Sequence, residues 1–297
     1  MQFTVFNAAR YARVLGALST LLLLSGCILN PLRSNHDVAE EIALPVGLME
    51  KFRQSGSFLL TTRERIRRPG ADVTIYIEGD GVAWIARTQP SRDPTPANPI
   101  ALRLATLDPA DNVAWVARPC QYTSMSGNTV CGVRDWTTGR FSEKVVDSID
   151  GVVSAIKQSA NAARIHLVGY SGGGGIAVLL AARRNDVATI RTVGANLDHK
   201  AFTSLHHVSP MSDSLNPADV AESVQMVPQL HLIGGRDEVI PDQVARSYLA
   251  RMKDERCTQL RVVSGVTHNE GWGFVWKVAA SELPGCRNPI LSLPSAS

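Results

Sequence analysis

The feature that most constrains the fold is a series of short, continuous apolar runs that alternate with stretches of helical periodicity. Ile165–Val168 and Leu230–Ile233 are two such runs, each interrupted only by one histidine. Strands that are covered by helices on both faces have this composition. Strands that alternate with helices predict an α/β fold with a mostly parallel, doubly wound sheet and helices on both faces.

The same patterns predict the individual elements. The predicted strands are Phe58–Ile66, Val73–Glu78, Arg103–Leu107, Asn112–Ala117, Arg164–Tyr170, Thr189–Gly194, Val227–Ile233 and Gln259–Ser264. The predicted helices are Ser142–Ser159, Gly173–Arg184, Asp242–Lys253 and Gly273–Glu282. No helix separates the first two strands, so we expect those two to form an antiparallel edge. Residues 87–101 contain four prolines and predict a surface loop.

The charge pattern argues against nucleic acid as a partner. The net charge is only +3, and the basic residues are scattered except in the run 63–68. We expect that run at an exposed strand end or turn, because a short basic run is usually a solvated surface feature. The sequence therefore predicts no nucleic-acid binding.

Residues 1–27 have the pattern of a signal peptide. Arg10 and Arg13 precede an apolar stretch, Val14–Leu24, whose 11 residues are too few to span a bilayer as a helix. The segment ends in Leu24-Ser25-Gly26-Cys27, which resembles the lipobox of bacterial lipoproteins. The resemblance implies that Cys27 is lipidated and acylated (palmitate is the expected chain) and holds the exported protein on a membrane. The alternative is an ordinary signal peptide in which Cys27 is incidental.

The lipobox also implies a place and a domain layout. Ile28 follows the cysteine, where inner-membrane retention mainly uses Asp, so we expect the outer membrane, with the domain facing the periplasm or the surface. Residues 28–50 are predicted to be a tether, and residues 51–297 a single α/β domain.

The other cysteines are consistent with export. Besides Cys27 there is an even number of cysteines, as expected for disulfides in an oxidising compartment: Cys120, Cys131, Cys257 and Cys286. Three pairings are possible. The simplest joins Cys120 to Cys131 and Cys257 to Cys286, because each pair then brackets a single loop or element. A zinc site is a poor alternative, since the sequence has no Cys-x-x-Cys spacing.

The motif with the clearest chemistry is Gly169-Tyr170-Ser171-Gly172-Gly173, between a predicted buried strand and a predicted helix. A serine on so sharp a turn needs glycines two residues to either side, because the backbone passes close to its neighbours. The start of the helix then offers free N–H groups to a developing oxyanion. Ser171 is therefore the candidate nucleophile. The alternative is a glycine turn that only packs tightly.

A serine nucleophile needs a base, and His268 is the best placed of the seven histidines. It lies in a loop between the last predicted strand and the last predicted helix. His166 and His231 lie inside apolar strands and are predicted to be core residues. His206 and His207 fall in the segment Asp198–Val224, a candidate cap over the site.

The acid that orients the base is predicted to be Asp237, which follows the strand Val227–Ile233 directly. Asp198, at the end of the preceding strand, is the main competitor. Glu238 is a less favoured neighbour of Asp237, and Asp242 is better explained as a helix cap.

The loop Glu78-Gly79-Asp80-Gly81 follows an early strand and predicts the second half of an oxyanion hole. We expect the N–H groups of Asp80 and Gly172 to be the two donors, with Gly81 as the alternative to Asp80. The alternative is a tight turn without a catalytic role.

The order Ser171, Asp237, His268, each at the end of a strand, resembles the α/β-hydrolase superfamily over roughly residues 70 to 280. The resemblance implies a serine hydrolase that forms an acyl-enzyme without a metal or other cofactor. It departs at the oxyanion loop, where Glu78-Gly79 stands in place of His-Gly. A carboxylic ester is the expected substrate, with an amide or peptide as the alternative, and a non-catalytic binding lipoprotein as the competing class. No long apolar insertion is visible, which favours a small acyl group.

Overall fold

The computed structural model describes residues 33–123 and 127–287. From Asn35 onward these residues belong to one compact unit. The predicted signal peptide and Cys27 lie outside the described residues. Within this part of the chain, none of the helices is long and apolar enough to cross a bilayer.

Among the described residues, eight strands form the main sheet and two short strands form a separate hairpin. The strands are β1 (Met49–Ser55), β2 (Phe58–Ile66), β3 (Val73–Ile77), β4 (Trp84–Ala86), β5 (Gln89–Pro90), β6 (Asn112–Val116), β7 (Ile165–Tyr170), β8 (Val187–Val193), β9 (Gln229–Gly234) and β10 (Thr258–Val263). The order in the main sheet is β1-β2-β6-β3-β7-β8-β9-β10, and β4 pairs with β5. From β6 to β10 all neighbours are parallel, whereas β2 runs antiparallel to both β1 and β6.

Helices cover both faces of this sheet. They are α1 (Asn35–Ala43), α2 (Ile100–Thr106), α3 (Glu143–Ser159), α4 (Gly172–Ala181), α5 (His199–Leu205), α6 (Ala221–Val224), α7 (Asp242–Leu249) and α8 (Trp272–Ala279), with 3₁₀ helices at Leu44–Val46, Val133–Trp136 and Pro217–Val220. The buried residues of α3, α4 and α7 form one core with strand residues such as Ile75. Those of α1, α2 and α8 form a second core with strand residues that face the other side of the sheet, such as Tyr76. This alternation follows from the two-residue period of a strand.

One predicted strand is wrong: Arg103–Leu107 covers the end of helix α2 and its C-cap residue, Leu107. Pro99 sits at the start of this helix and supplies no side-chain cap. The carboxylate of Glu78 instead accepts hydrogen bonds from the N–H groups of Ala101 and Leu102. A cap supplied from a distant strand leaves no trace in the local sequence, so the short apolar run was ambiguous.

The predicted antiparallel edge is also wrong in part. Strand β3 lies in the interior of the sheet, parallel to both β6 and β7, and the antiparallel edge consists of β1 and β2. Strand β1 has the polar sequence MEKFRQS and is largely exposed, so it lacks the apolar pattern of a buried strand. It starts at Met49, and α1 lies before it, so the segment predicted to be a tether contains regular structure.

The basic run is only partly the exposed feature that its composition predicts. Arg67 and Arg68, just after β2, are exposed, whereas Arg63 and Arg65 are buried. Arg63 is only 1% exposed and pairs with the carboxylates of Glu40 and Glu50. Arg65 is also buried and donates to the backbone carbonyls of Asp108 and Ala110. Alternate residues of a strand face the same side, so Arg63 and Arg65 lie on one face of β2, where both donate to acceptors from neighbouring segments.

The two local disulfides are present. Cys120 is bonded to Cys131, and Cys257 to Cys286. The simplest of the three possible pairings is therefore confirmed.

Candidate active site

Ser171 lies between the last residue of β7 and the first residue of α4. Its backbone has φ 51° and ψ −123°, a conformation that residues with a side chain rarely adopt. Its N–H donates to the carbonyl of Val193 at 3.0 Å, and its carbonyl accepts from the N–H of Asn196 at 3.1 Å. These bonds to the next strand and the loop after it hold the serine in its strained turn.

The glycines around Ser171 are required by close contacts. A Cβ atom at Gly169 would overlap the carbonyl oxygen of Gly173, and one at Gly173 would overlap the carbonyl oxygen of Ile77. The turn thus crosses the end of β3 with no room for side chains, which is the packing that the sequence motif predicts.

The structure brings Ser171, His268 and Asp237 together. His268 Nε2 lies 3.1 Å from Ser171 Oγ, and His268 Nδ1 lies 2.8 Å from Asp237 Oδ2. Both His268 and Asp237 are buried. A carboxylate can only accept, so Nδ1 carries the proton and Nε2 is left as the acceptor for the serine hydroxyl. This is the arrangement in which imidazole can act as a base towards Ser171.

Both partners are held by further hydrogen bonds. Asp237 Oδ1 accepts from the N–H groups of Val239 at 3.0 Å and Ile240 at 2.8 Å. The carbonyl of His268 accepts from Trp272 Nε1 at 2.7 Å and from the hydroxyl of Tyr170 at 3.1 Å. The acid is therefore positioned by the loop between β9 and α7, and the base by the end of β7 and the start of α8.

Asp198, the competing acid, has a different role. It caps α5: its Oδ1 accepts from the N–H groups of Lys200 and Ala201, and Ser247 Oγ donates to its Oδ2 at 2.6 Å. Burial raises its pKa, but these hydrogen bonds and one from the Asn216 amide outweigh that effect and hold the pKa below its usual value. The structure pairs His268 with Asp237 instead.

His166 and His231 are core residues, as predicted. His231 is bonded to Thr192 through Nδ1 at 2.8 Å, and burial lowers the pKa of its imidazole to about 3. Neither histidine lines the cavity at Ser171.

The loop after β3 lies against Ser171. A Cβ at Gly79 would be 3.3 Å from the Cβ of Ser171, and one at Gly172 would overlap the carboxylate of Asp80. Gly81, the alternative donor, packs closely against the carbonyl of Pro94. Gly172 and the loop that carries Asp80, the two predicted sources of oxyanion donors, thus lie next to the serine.

The side chain of Asp80 is clamped between two arginines. Its Oδ1 lies 2.9 Å from Arg118 Nη1, and its Oδ2 lies 2.8 Å from Arg140 Nη1. Arg118 also donates to the carbonyl of Arg140. Burial raises the pKa of Asp80, but the charges of Arg140 and Arg118 outweigh it and hold that pKa below its usual value. The clamp fixes the loop whose backbone is the candidate oxyanion donor.

Glu78 organises the base of the same loop. Its carboxylate accepts from the N–H of Gly79 at 2.9 Å, from those of Ala101 and Leu102 in α2, and from Trp115 Nε1 at 2.9 Å. Burial raises the pKa of Glu78, and these four hydrogen bonds oppose that rise. The residue that departs from the superfamily pattern therefore joins the oxyanion loop to a helix.

Sequence reasoning missed the supporting residues of this loop. Arg118 and Arg140 come from segments 38 and 60 residues away from Asp80, and they belong to no motif. Gln121, next to the first disulfide, donates to the carbonyl of Gly79 at 3.0 Å, and it also belongs to no sequence motif. Only the departure at Glu78 was visible beforehand.

An open cavity of about 580 Å³ lies over Ser171 and His268. The oxyanion loop forms one wall, and Phe202 of the predicted cap segment contributes to its lining together with Trp84 and Arg140. Among residues 33–123 and 127–287, no group of three His, Cys, Asp or Glu side chains could hold a metal ion.

No protein-family model matches the sequence, and no curated protein matches it. Several solved structures do resemble it. Est1E from Butyrivibrio proteoclasticus has a TM-score of 0.55 at 14% identity, covering 78% of this chain and 95% of that one. An esterase from Pyrococcus furiosus has a TM-score of 0.55 at 15% identity, covering 78% and 89%. The α/β hydrolase GrgF from Penicillium sp. sh18 has a TM-score of 0.51 at 10% identity, covering 76% and 92%.

At such low identities the likeness concerns the fold. Together with the strand order and the helices on both faces, it establishes an α/β-hydrolase fold. The fold class predicted from the sequence is confirmed.

Proposed function

We propose that this protein is a serine hydrolase that cleaves carboxylic esters through Ser171, His268 and Asp237. The observation that carries the proposal is the continuous hydrogen-bond chain from Ser171 Oγ through the imidazole to Asp237 Oδ2. A binding protein has no need for a serine held in a strained turn, a base of defined tautomer and a buried acid at one place.

The chemistry follows from this arrangement. Ser171 Oγ attacks the ester carbonyl carbon, and His268 Nε2 takes the hydroxyl proton while the carbonyl electron pair moves onto oxygen. The N–H groups of Asp80 and Gly172 stabilise this oxyanion. When the electron pair returns, the bond to the alcohol oxygen breaks, and Nε2 gives that oxygen its proton. Water then repeats the sequence on the acyl-enzyme, releasing the acid and restoring Ser171.

Covalent labelling tests the nucleophile. The domain without residues 1–27 is incubated with a fluorophosphonate, and its intact mass is measured. We expect one adduct per chain, mapped to Ser171 and absent in Ser171→Ala and His268→Ala. Matched controls are Ser223→Ala and His36→Ala, which change exposed or half-buried residues on α6 and α1 and should label normally. A folded protein that gives no adduct would contradict the proposal.

Turnover separates ester from amide chemistry. We expect Ser171→Ala to lower kcat for p-nitrophenyl butyrate by about 10⁴-fold or more. The matched p-nitroanilide tests the amide alternative with the same acyl group. If the anilide is hydrolysed with the higher kcat/KM, the substrate class is an amide and the ester assignment fails.

We also propose that the protein is exported and anchored to the outer membrane through lipid on Cys27. The lipobox supports this, and the two disulfides agree with an oxidising compartment. In a bacterium fed an alkyne-tagged fatty acid, the full chain should be labelled and found with outer membranes. Cys27→Ser should lose the label, and Cys286→Ser should keep it. Labelling that survives Cys27→Ser would refute the anchor.

A further inference from the structure

A second cavity lies beside the one over Ser171. It has a volume of about 470 Å³, and Trp84, Arg140 and Phe202 line both cavities. Three shared side chains make the two spaces neighbours along one wall. The two spaces are therefore adjacent at this wall, so a ligand group that passes Phe202 would enter the second one.

The wall of this second cavity is rich in large apolar side chains from two separate segments. Trp84 and Ile85, in the β4–β5 hairpin, are 42% and 60% exposed, and Val208, after α5, is 41% exposed. Met211 closes the wall and is buried. Exposed apolar residues that converge on one concavity mark a binding site, because scattered ones would not share a depression.

The charged groups of this wall already have partners. Arg140 is paired with Asp80 and also donates to the carbonyl of Thr137. Arg87 donates to the carbonyl of His207 at 2.8 Å. The arginines thus do not require an anionic ligand. Four hydroxyl residues also line the cavity, and three of them, Thr137, Thr138 and Thr203, already donate to other protein groups, so the large apolar side chains favour an apolar ligand.

We propose that the second cavity binds an apolar group, aliphatic or aromatic, of the ester that Ser171 cleaves. The inference rests on the proposed function and names the substrate class of that same site. It replaces the small acyl group favoured by the sequence with a substrate that carries an apolar group large enough to reach beyond Phe202. The group belongs to either the acyl part or the alcohol part, and the experiment has one arm for each.

The test measures kcat/KM along two homologous series. The first varies the acyl chain of p-nitrophenyl esters from acetate to octanoate, and the second varies the alcohol of acetate esters from ethyl to octyl. Each methylene that enters the cavity should raise kcat/KM about fourfold, the ratio that corresponds to about 0.8 kcal/mol per buried methylene. The series that shows the rise identifies the part of the ester in the cavity.

Two variants fill the cavity, and one controls for them. Ala86→Trp and Val208→Trp add a large side chain at exposed lining positions, where folding is little affected. Both should lower kcat/KM for the longest responsive ester at least tenfold while changing the shortest ester less than twofold. Gln89→Trp adds the same side chain to the same hairpin outside the lining and should leave the whole series unchanged.

The outcomes separate the two proposals. Ester hydrolysis that depends on Ser171 but is flat along both series overturns the inference and leaves the proposed function standing. Filling variants that slow short and long esters equally also overturn it. If no ester is hydrolysed and Ser171 is not labelled, the proposed function fails and the inference fails with it.

Discussion

Replacing Asp80 by Asn tests whether the oxyanion loop depends on a buried charge cluster. In the native protein one carboxylate contacts two guanidinium groups at 2.9 and 2.8 Å. The side chains of Asp80, Arg118 and Arg140 are only 14%, 5% and 13% exposed. The substitution keeps the shape of the side chain but removes its charge and turns one acceptor atom into a donor that faces an arginine.

The expected loss is large because two cations lose their counter-charge. Breaking a buried ion pair by removing one partner costs about 3–5 kcal/mol of unfolding free energy. Asn retains one oxygen for one of the guanidinium groups, so we expect about 3 kcal/mol. Urea unfolding at pH 7, with the m-value as a check on cooperativity, measures the loss.

The matched control is Asp213→Asn, which removes the same charge at the surface. Asp213 pairs with Arg134 at 2.8 Å, but Arg134 is 75% exposed, so the loss should be about 0–1 kcal/mol. A double-mutant cycle with Arg140→Met should recover part of the loss caused by Asp80→Asn, since one uncompensated cation is then gone. If Asp80→Asn lowers the unfolding free energy no more than Asp213→Asn does, the buried charge cluster is not the source of stability inferred here.

The cluster also predicts a pH dependence. The folded pKa of Asp80 is below its unfolded value, so its contribution is present above the unfolded pKa of about 3.9 and is lost as pH falls through the lower folded pKa. The difference in unfolding free energy between the wild type and Asp80→Asn should therefore be constant from pH 7 to about 5 and shrink below about 4. A difference that grows on acidification would contradict the assignment.

Three further predictions concern the acid, the loop and a disulfide. Asp237→Asn should lower kcat about 10⁴-fold by disturbing the imidazole tautomer, whereas Asp198→Asn should lower the melting temperature and leave kcat within about tenfold. If ester kinetics show the larger loss of kcat for Asp198→Asn, the roles of the two acids are exchanged. In Glu78→Gln the side chain can accept only about half of the native hydrogen bonds, so the unfolding free energy measured in urea should fall by about 2–4 kcal/mol and kcat should be reduced. A fall below about 0.5 kcal/mol would show that the loop does not need the carboxylate. Replacing Cys257 and Cys286 by Ser opens a loop with a sequence separation of 29, so the unfolding free energy should fall by about 3.5 kcal/mol and the melting temperature in calorimetry by about 7–14 °C. An unchanged melting temperature would refute a stabilising role for this disulfide.

The parts of the site that were predictable are those whose chemistry is local. The Ser171 motif is visible because close backbone packing admits only glycine at Gly169 and Gly173. His268 is visible because it stands in a loop after a strand, whereas His166 and His231 stand within apolar runs. Strands β2 and β7 were predicted to within a residue for the same reason: their pattern is set by burial of the strand itself.

The errors share a different origin, which is contact with distant residues. The sequence predicts a strand in place of the end of helix α2, because the carboxylate that caps this helix comes from Glu78, more than twenty residues earlier. Arg63 was expected at the surface, but carboxylates from α1 and β1 surround it in the folded chain. Strand β1 was missed because an exposed edge strand has no apolar pattern to detect.

The sequence by itself therefore determined the fold class and predicted a nucleophile, a base and a short choice of acids, because strand-to-helix turns and buried strands restrict residue types at fixed spacings. Only the tertiary structure shows which of Asp237 and Asp198 lies against His268, since both follow strands. Asp237 accepts a hydrogen bond from the imidazole, whereas Asp198 accepts from N–H groups at a helix start. It also decided the clamp on Asp80. Those arginines come from segments far apart in the chain, and the charges meet only when the fold brings them within hydrogen-bond distance.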